Sequence, residues 1–196
     1  MPRGVAIDGA RQRMFAAAET VILRDGAGAL RGRAVTAQAG VATGLLHAHF
    51  GDFDAFLEAY VVDRSFLLAG ESAALAQGVA EDGRSVSDAL ADGLAALPRR
   101  EAGALVRLLA ARPDLVARAA DTLGEEASGF AGVTGAVAER LTAERAAGRL
   151  APGAAPAPLA YAVVAVLQRA WCEGLSEAHW RAILTAQLAG FTVPQS

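Results

Sequence analysis

An all-α chain is what this sequence predicts, and three observations predict it. The apolar share, 54% of 196 residues, is largely Ala and Leu, both strong helix formers. Apolar residues recur at three- and four-residue spacing along most of the chain, the period of a helix with one buried face. No alternating strand pattern of useful length appears, and no internal repeat.

The elements follow in order. Asp8 or Gly9 starts a first helix whose stripe is Met14, Ala17, Ala18, Val21 and Ile22, with Arg11, Arg13, Glu19 and Arg24 largely off it. Gly26, with Gly28 behind it, closes that helix as a C-terminal glycine cap. Two short helices come next, about Arg31–Gln38 and Ala42–Ala48, separated by Gly40 and ended by Gly51–Asp52. Asp52 caps a longer fourth helix, with Phe53, Phe56, Leu57, Tyr60, Val61, Arg64 and Leu67 on one stripe and an end near Gly70. Further helices are expected at Val86–Leu97, stopped by Pro98; at Glu101–Ala111; and from a capping Asp114 to Leu123. A long helix over Glu125–Ala147 carries Gly129, Gly132 and Gly135; the proline-bearing stretch Gly148–Pro158 is a loop. Leu159–Gly174 and Ser176–Phe191 close the chain, about nine helices in all.

Composition excludes several classes. The longest apolar candidate, Leu159–Leu167, is too short to span a bilayer, and the charged N-terminus does not read as a signal peptide, so a cytoplasmic protein without membrane partners is expected. Cys172 is the single cysteine, which excludes an intrachain disulfide and a cysteine-built metal site. Charge is uneven. Residues 1–50 hold six Arg against Asp8, Glu19 and Asp25, a net of +3; with −3 overall, residues 51–196 carry −6. A positive N-terminal piece on an acidic body is the footprint of an attached nucleic-acid module.

Residues 31–50 read RGRAVTAQAGVATGLLHAHF. Val35 and Ala39 give the first short helix a buried face, Ala34 and Ala39 allow a close crossing, Gly40 tolerates a positive φ, and Val41 re-enters the core. The second short helix would bury Leu46 and Phe50 and present Thr43, Gly44, Leu45 and His47 to a major groove. This is a helix-turn-helix pattern.

Residues 11–60 resemble the N-terminal domain of the TetR family of transcriptional regulators. The resemblance rests on the Ala17–Ala18 pair in an arginine-bearing first helix, Gly26 at its end, Ala39-Gly40-Val41 in the turn, Gly44, His49-Phe50, and a fourth helix from Asp52 with Phe56 and Leu57. The rest of the chain matches only in general character, with helices of suitable length, Ala-Gly-Arg-Leu at 147–150, then two final helices. The resemblance implies a three-helix DNA-binding domain at 1–51, a ligand-binding and dimerisation domain at 52–196, and a homodimer joined through the last two helices. The sequence departs from the family pattern where Leu30 and Arg31 replace a Ser or Thr cap, Gly32 a core Val or Ile, Ala42-Thr43 a Ser and a basic residue, His47 a Tyr, and Phe53 a Lys. Residues 42–50 hold no Arg or Lys.

Within this motif Arg31 and Arg33, which on composition alone read as a solvated face, become phosphate contacts. Thr36 would reach a phosphate, Thr43 and His47 base edges, and Leu45 a thymine methyl. His47 stays open between base contact and packing, and His49 between packing and a phosphate contact. Tyr60, Phe66, Arg107, Phe130, Tyr161 and Trp171 are candidates for a small-molecule pocket, or else core. Leu159, Val163 and Val166 with Trp180, Ile183, Leu184 and Leu188 are candidates for the dimer interface, or else the centre of a monomer.

Other patterns carry less. Gly26-Ala-Gly28 follows a helix, not a strand, so it is no dinucleotide fingerprint. Glu125–Glu126 and Asp52–Asp54 sit at helix starts. No catalytic triad order appears and the three histidines are not spaced for metal, so no enzyme, cofactor or metal is called for. The expected function is a ligand-responsive repressor, released from a palindromic double-stranded operator when a small molecule changes the spacing of the recognition helices, with the fourth helix carrying the motion. The alternative is a helical small-molecule-binding dimer with a vestigial DNA module.

Overall fold

The computed structural model describes residues 3–77 and 84–193. Among these are ten α-helices, two single-turn 3-10 helices and one isolated β-bridge, Leu150 to Thr192. No helix of the described residues is long and apolar enough to cross a membrane.

The N-terminal piece is α1 (Arg3–Asp25), α2 (Gly32–Ala39) and α3 (Thr43–Phe50). α1 begins earlier than Asp8. Its expected stripe is buried, and Phe15 joins it. Glu19, expected off the stripe, is buried too, at 1% exposure. Gly26 adopts φ +86° and a 3-10 turn (Ala27–Ala29) follows. Arg31 is extended and stands at the N-cap of α2. At its other end Gly40, φ +65°, turns the chain so that Val41 N–H closes on Thr36 O at 3.0 Å.

α4 (Phe53–Ala76) starts where Asp52 accepts the Ala55 N–H at 2.8 Å. It runs through Gly70, because Leu68, Ser72 and Leu75 still have buried positions to fill; an internal glycine costs only about 1 kcal/mol. α5 (Val86–Ala95) is capped by Ser85, α6 (Arg99–Ala111) follows Pro98, and α7 (Asp114–Leu123) has Pro113, not Asp114, at its cap position. The long helix expected over 125–147 is broken. Glu125–Ala127 is a 3-10 turn, Gly129 takes φ +59°, and only then does α8 (Ala131–Ala146) begin. Pro156 starts α9 (Pro156–Glu173) inside the expected loop, since proline fits a first helical turn. α10 (Glu177–Leu188) is capped by Ser176.

α4 is the spine. It touches α3 at one end, then α7, α8, α6 and α5. Gly132 lets α8 meet it: a Cβ there would lie 2.7 Å from Ala69 Cβ. Ser65 Oγ accepts the Gly129 N–H at 2.8 Å, a buried bond. Arg118 holds Glu58 at 2.6 Å, and Arg112 at the end of α6 holds Asp54 at 3.2 Å, tying α7 and the link before it to α4.

α1 is joined to α4 by charge. Arg64 Nε donates to Glu19 Oε1 at 2.7 Å with both side chains buried, and Arg100 of α6 approaches Glu19 at 3.4 Å. The Arg64 guanidinium also lies over the Phe15 and Tyr60 rings, 5.5 Å from each centroid. Burial pushes the Glu19 carboxyl up, opposed by the charge and hydrogen bond of Arg64. A second buried cluster, Arg140–Glu144–Arg149, fixes the turn after α8.

Removing one member of a buried pair strands the other. Glu19→Ala is expected to cost about 3–5 kcal/mol in urea unfolding, and the double variant Glu19→Leu/Arg64→Met much less. Equal losses in the two would show that the pair is not a buried unit.

Candidate nucleic-acid interface and cavities

α2 and α3 cross beside the start of α4. Arg31, Gly32, Arg33, Thr43, Leu46, His47 and Phe53 line a shallow concavity of about 590 Å³. Four of the expected contacts, Arg31, Arg33, Thr43 and His47, are thus together and exposed. Arg31 donates to Leu30 O at 2.6 Å, while the Arg33 guanidinium has no hydrogen-bond or ion-pair partner among the described residues. The His47 Nδ1–Gly51 O contact of 2.9 Å puts the ring proton on Nδ1 and leaves Nε2 of the neutral ring as an acceptor. Gly32 and Phe53 complete the wall; both stand where the sequence departs from the family pattern, which was the signal for them.

Other expectations change. Thr36 is 1% exposed and donates back to Gly32 O at 3.1 Å, so it cannot reach a phosphate. A short hydroxyl side chain at mid-helix turned inward onto its own backbone. Leu45 is half-buried, Gly44 is exposed, and His49 is half-buried against Phe50, 6.2 Å between rings.

The ligand candidates do not form one site. Phe130 and Tyr161 share a cavity of about 580 Å³ with Val106, Leu109, Val116 and Gly129, and with Glu125, Ser128, Thr134 and Gln168 as polar members. Sequence reading did not assign those four polar residues to a pocket. The signal for Gln168 was its place directly after the apolar run Leu159–Leu167. Arg107 and Trp171 line a different recess, and the Phe130–Trp171 ring pair, 6.1 Å apart, stands between the two. Phe66 is 71% exposed, on a groove with Arg11, Glu58 and Asp63. Tyr60 is core: it packs edge-on to Phe15 at 5.6 Å, and desolvation pushes its phenol well above the usual range.

Most of the dimer candidates face their own chain. Leu159, Val163, Trp180, Leu184 and Leu188 are buried within it and Val166 is half-buried, which leaves Ile183 as the exposed one. These residues made the strongest stripe because the core claimed them. The outward faces are Tyr161 and Ala165 on α9, and Ala182, Ile183 and Ala186 on α10.

No protein-family model matches the sequence, and no curated protein does. Solved structures do match. A protein of Rhodococcus sp. described as a TetR-family transcriptional regulator is 24% identical, with 93% of this chain and 98% of that one covered at a TM-score of 0.64. A transcriptional regulator of Saccharomonospora viridis, solved with choline, is 15% identical, with 95% and 100% covered at 0.72. The multidrug-binding protein EbrR, solved with imidazole, is 25% identical, with 94% and 96% covered at 0.56. The chain has the TetR-like fold. The likeness spans nearly the whole chain, so the body as well as the N-terminal piece takes this architecture.

An uncompensated arginine beside α3 would meet a duplex through phosphate charge, not through base edges. Arg33→Ala is expected to weaken duplex binding alike on all sequences and to lower the salt slope by about 1. Thr36→Val, at a buried position, should change neither. Titration of both variants at several salt concentrations checks this; a Thr36→Val loss as large as that of Arg33→Ala would remove the assignment.

Proposed function

We propose that this protein is a cytoplasmic, ligand-responsive DNA-binding regulator, a homodimeric repressor released from a palindromic operator by a small molecule. The observation that carries this is the concavity of Arg31, Arg33, Thr43 and His47 at the foot of α4, with an apolar cavity whose Gly129 is held by Ser65 further along that helix. The DNA-binding domain is residues 1–51 and the ligand and dimer domain 52–196. Arg31 and Arg33 hold phosphates, and Thr43 and the free His47 Nε2 meet base edges. The effector enters the Phe130–Tyr161 cavity, whose size and apolar lining suit a small molecule. The small ligands of two neighbours, choline and imidazole, support an effector of modest size.

Transmission runs through α4. Gly129 lines the cavity and donates to Ser65 of α4, so a ligand that displaces the 128–131 turn displaces α4. It must bind the two states unequally to shift their balance. Dimerisation uses the outward faces of α9 and α10. A palindrome needs two recognition helices about 34 Å apart. Tyr161, 73% exposed, lies on that face and on the cavity wall, so a partner would also cover the cavity mouth.

The second reading, a ligand-binding dimer with a relict DNA module, is favoured by one observation: α3 has no Arg or Lys. Selection from a random duplex pool, then titration of the winner, separates the two. A tightly bound palindrome, lost on Arg33→Ala or Thr43→Ala, supports the regulator. No enrichment leaves the relict reading standing. Sedimentation tests the interface: Ile183→Glu is expected to give a folded monomer, whereas Leu188→Glu should unfold the chain. An Ile183→Glu protein that stays dimeric places the interface elsewhere.

A further inference from the structure

A second cavity differs in character from the effector cavity. Leu23, Arg99, Arg100, Gly103, Arg107, Trp171 and Gly174 line a recess of about 410 Å³, where the end of α1 meets α6 and the end of α9. Three guanidinium groups line it and no carboxylate does.

The acids nearby do not line it. Glu19 lies behind Arg100 and is held by Arg64. Glu101 lines a groove with Asp63 and Arg64 instead. Glu173 pairs with Arg169. Ten of the eighteen arginines rest on a carboxylate among the described residues: Arg24, Arg64, Arg84, Arg100, Arg112, Arg118, Arg140, Arg149, Arg169 and Arg181. Arg99 and Arg107 have no such partner among the described residues. Arg99 donates to Leu175 O at 2.5 Å. Arg107 is half-buried and donates to Cys172 O at 3.2 Å and Leu23 O at 3.3 Å, both long bonds. A guanidinium has five N–H donors, so several on each remain to be used. A half-buried cation without a counter-ion is costly, and an anion that reaches it gains accordingly. Trp171 and Leu23 supply apolar wall, and Gly103 leaves room where a side chain would stand.

We infer that this arginine-lined recess is a second binding site, for a small amphipathic anion: a carboxylate or phosphate carried on an aromatic or aliphatic frame. The anion sits between Arg99 and Arg107, and its frame lies against Trp171 and Leu23. It draws on the same guanidinium that holds Leu23 O, so its occupancy bears on the last turn of α1. The site stands apart from the Phe130–Tyr161 cavity, and its test involves no DNA.

The full chain carrying Trp180→Phe, so that Trp171 is the sole tryptophan, is titrated with benzoate and with phenyl phosphate. Benzyl alcohol and benzylamine serve as neutral and cationic counterparts. Both anions are expected to bind saturably and change Trp171 emission, with the counterparts at least about tenfold weaker. Arg99→Gln should weaken anion binding about tenfold, and Arg99→Gln/Arg107→Gln should abolish it. Arg145→Gln, the same charge change elsewhere, should leave it intact. Circular dichroism confirms folding; if the double variant unfolds, the exposed Arg99→Gln carries the test alone. A stronger response to one anion assigns the headgroup to carboxylate or phosphate. No saturable binding at about 10 mM of either anion, equal binding of benzyl alcohol, or an Arg145→Gln loss matching Arg99→Gln would each overturn the inference.

Discussion

The Arg64 guanidinium on the Glu19 carboxylate is the contact on which the arrangement of the two halves depends. It lies on the inner faces of α1 and α4, within reach of Arg100 on α6, and Phe15 and Tyr60 shield it from water. Such a pair adds little net stability over an apolar substitute, but it tolerates few alternatives. A slip of α1 along α4 by one turn would strand a charge in the interior. α1 is therefore locked in register to the middle of α4. Gln12, two turns before Glu19 on α1, donates to Asp63 at 2.8 Å and repeats the constraint.

Much of the fold was legible because helix periodicity and punctuation agree. Gly26, Gly40 and Gly51 all take positive φ, and each stands where the sequence places an end. The misreadings have physical sources. Gly70 looks like a stop, but buried side chains beyond it carry α4 onward. The stretch 125–147 looks like one helix, since Ala and Glu favour it; the Gly129 backbone instead turns to reach Ser65, a partner 64 residues away. Glu19 looked like a surface charge because its partner lies on another helix. Arg64, a charge on an apolar stripe, was the visible half of that pair.

The candidate sites were legible to different degrees. The DNA-facing surface is local, built from 31–53, and its spacing alone gathers Arg31, Arg33, Thr43 and His47. Thr36 failed because a hydroxyl can satisfy itself on its own helix. The cavity draws on four helices and a turn, so single residues such as Phe130 and Tyr161 could be named but not assembled. Most of the residues expected at a dimer face proved to be core for a general reason: the largest apolar residues go to a chain's own core, and the outward faces of α9 and α10 are left mostly with smaller ones such as Ala165, Ala182 and Ala186.

The contact of Gly132 with Ala69 has a mechanical reading. Two helix backbones that meet without a side chain between them have reached their nearest approach, so the point can act as a fulcrum but not as a cushion. Ser65 lies four residues from Ala69 and Phe53 lies sixteen, about 6 Å and 24 Å along a helix at its usual rise. Any tilt of α4 about that fulcrum is therefore magnified about fourfold between Ser65, which holds the cavity-lining Gly129, and the foot of the helix. A shift at Ser65 too small to open the core would carry α3 across a sizeable fraction of a groove's width, and the gearing comes from the absence of one methyl group.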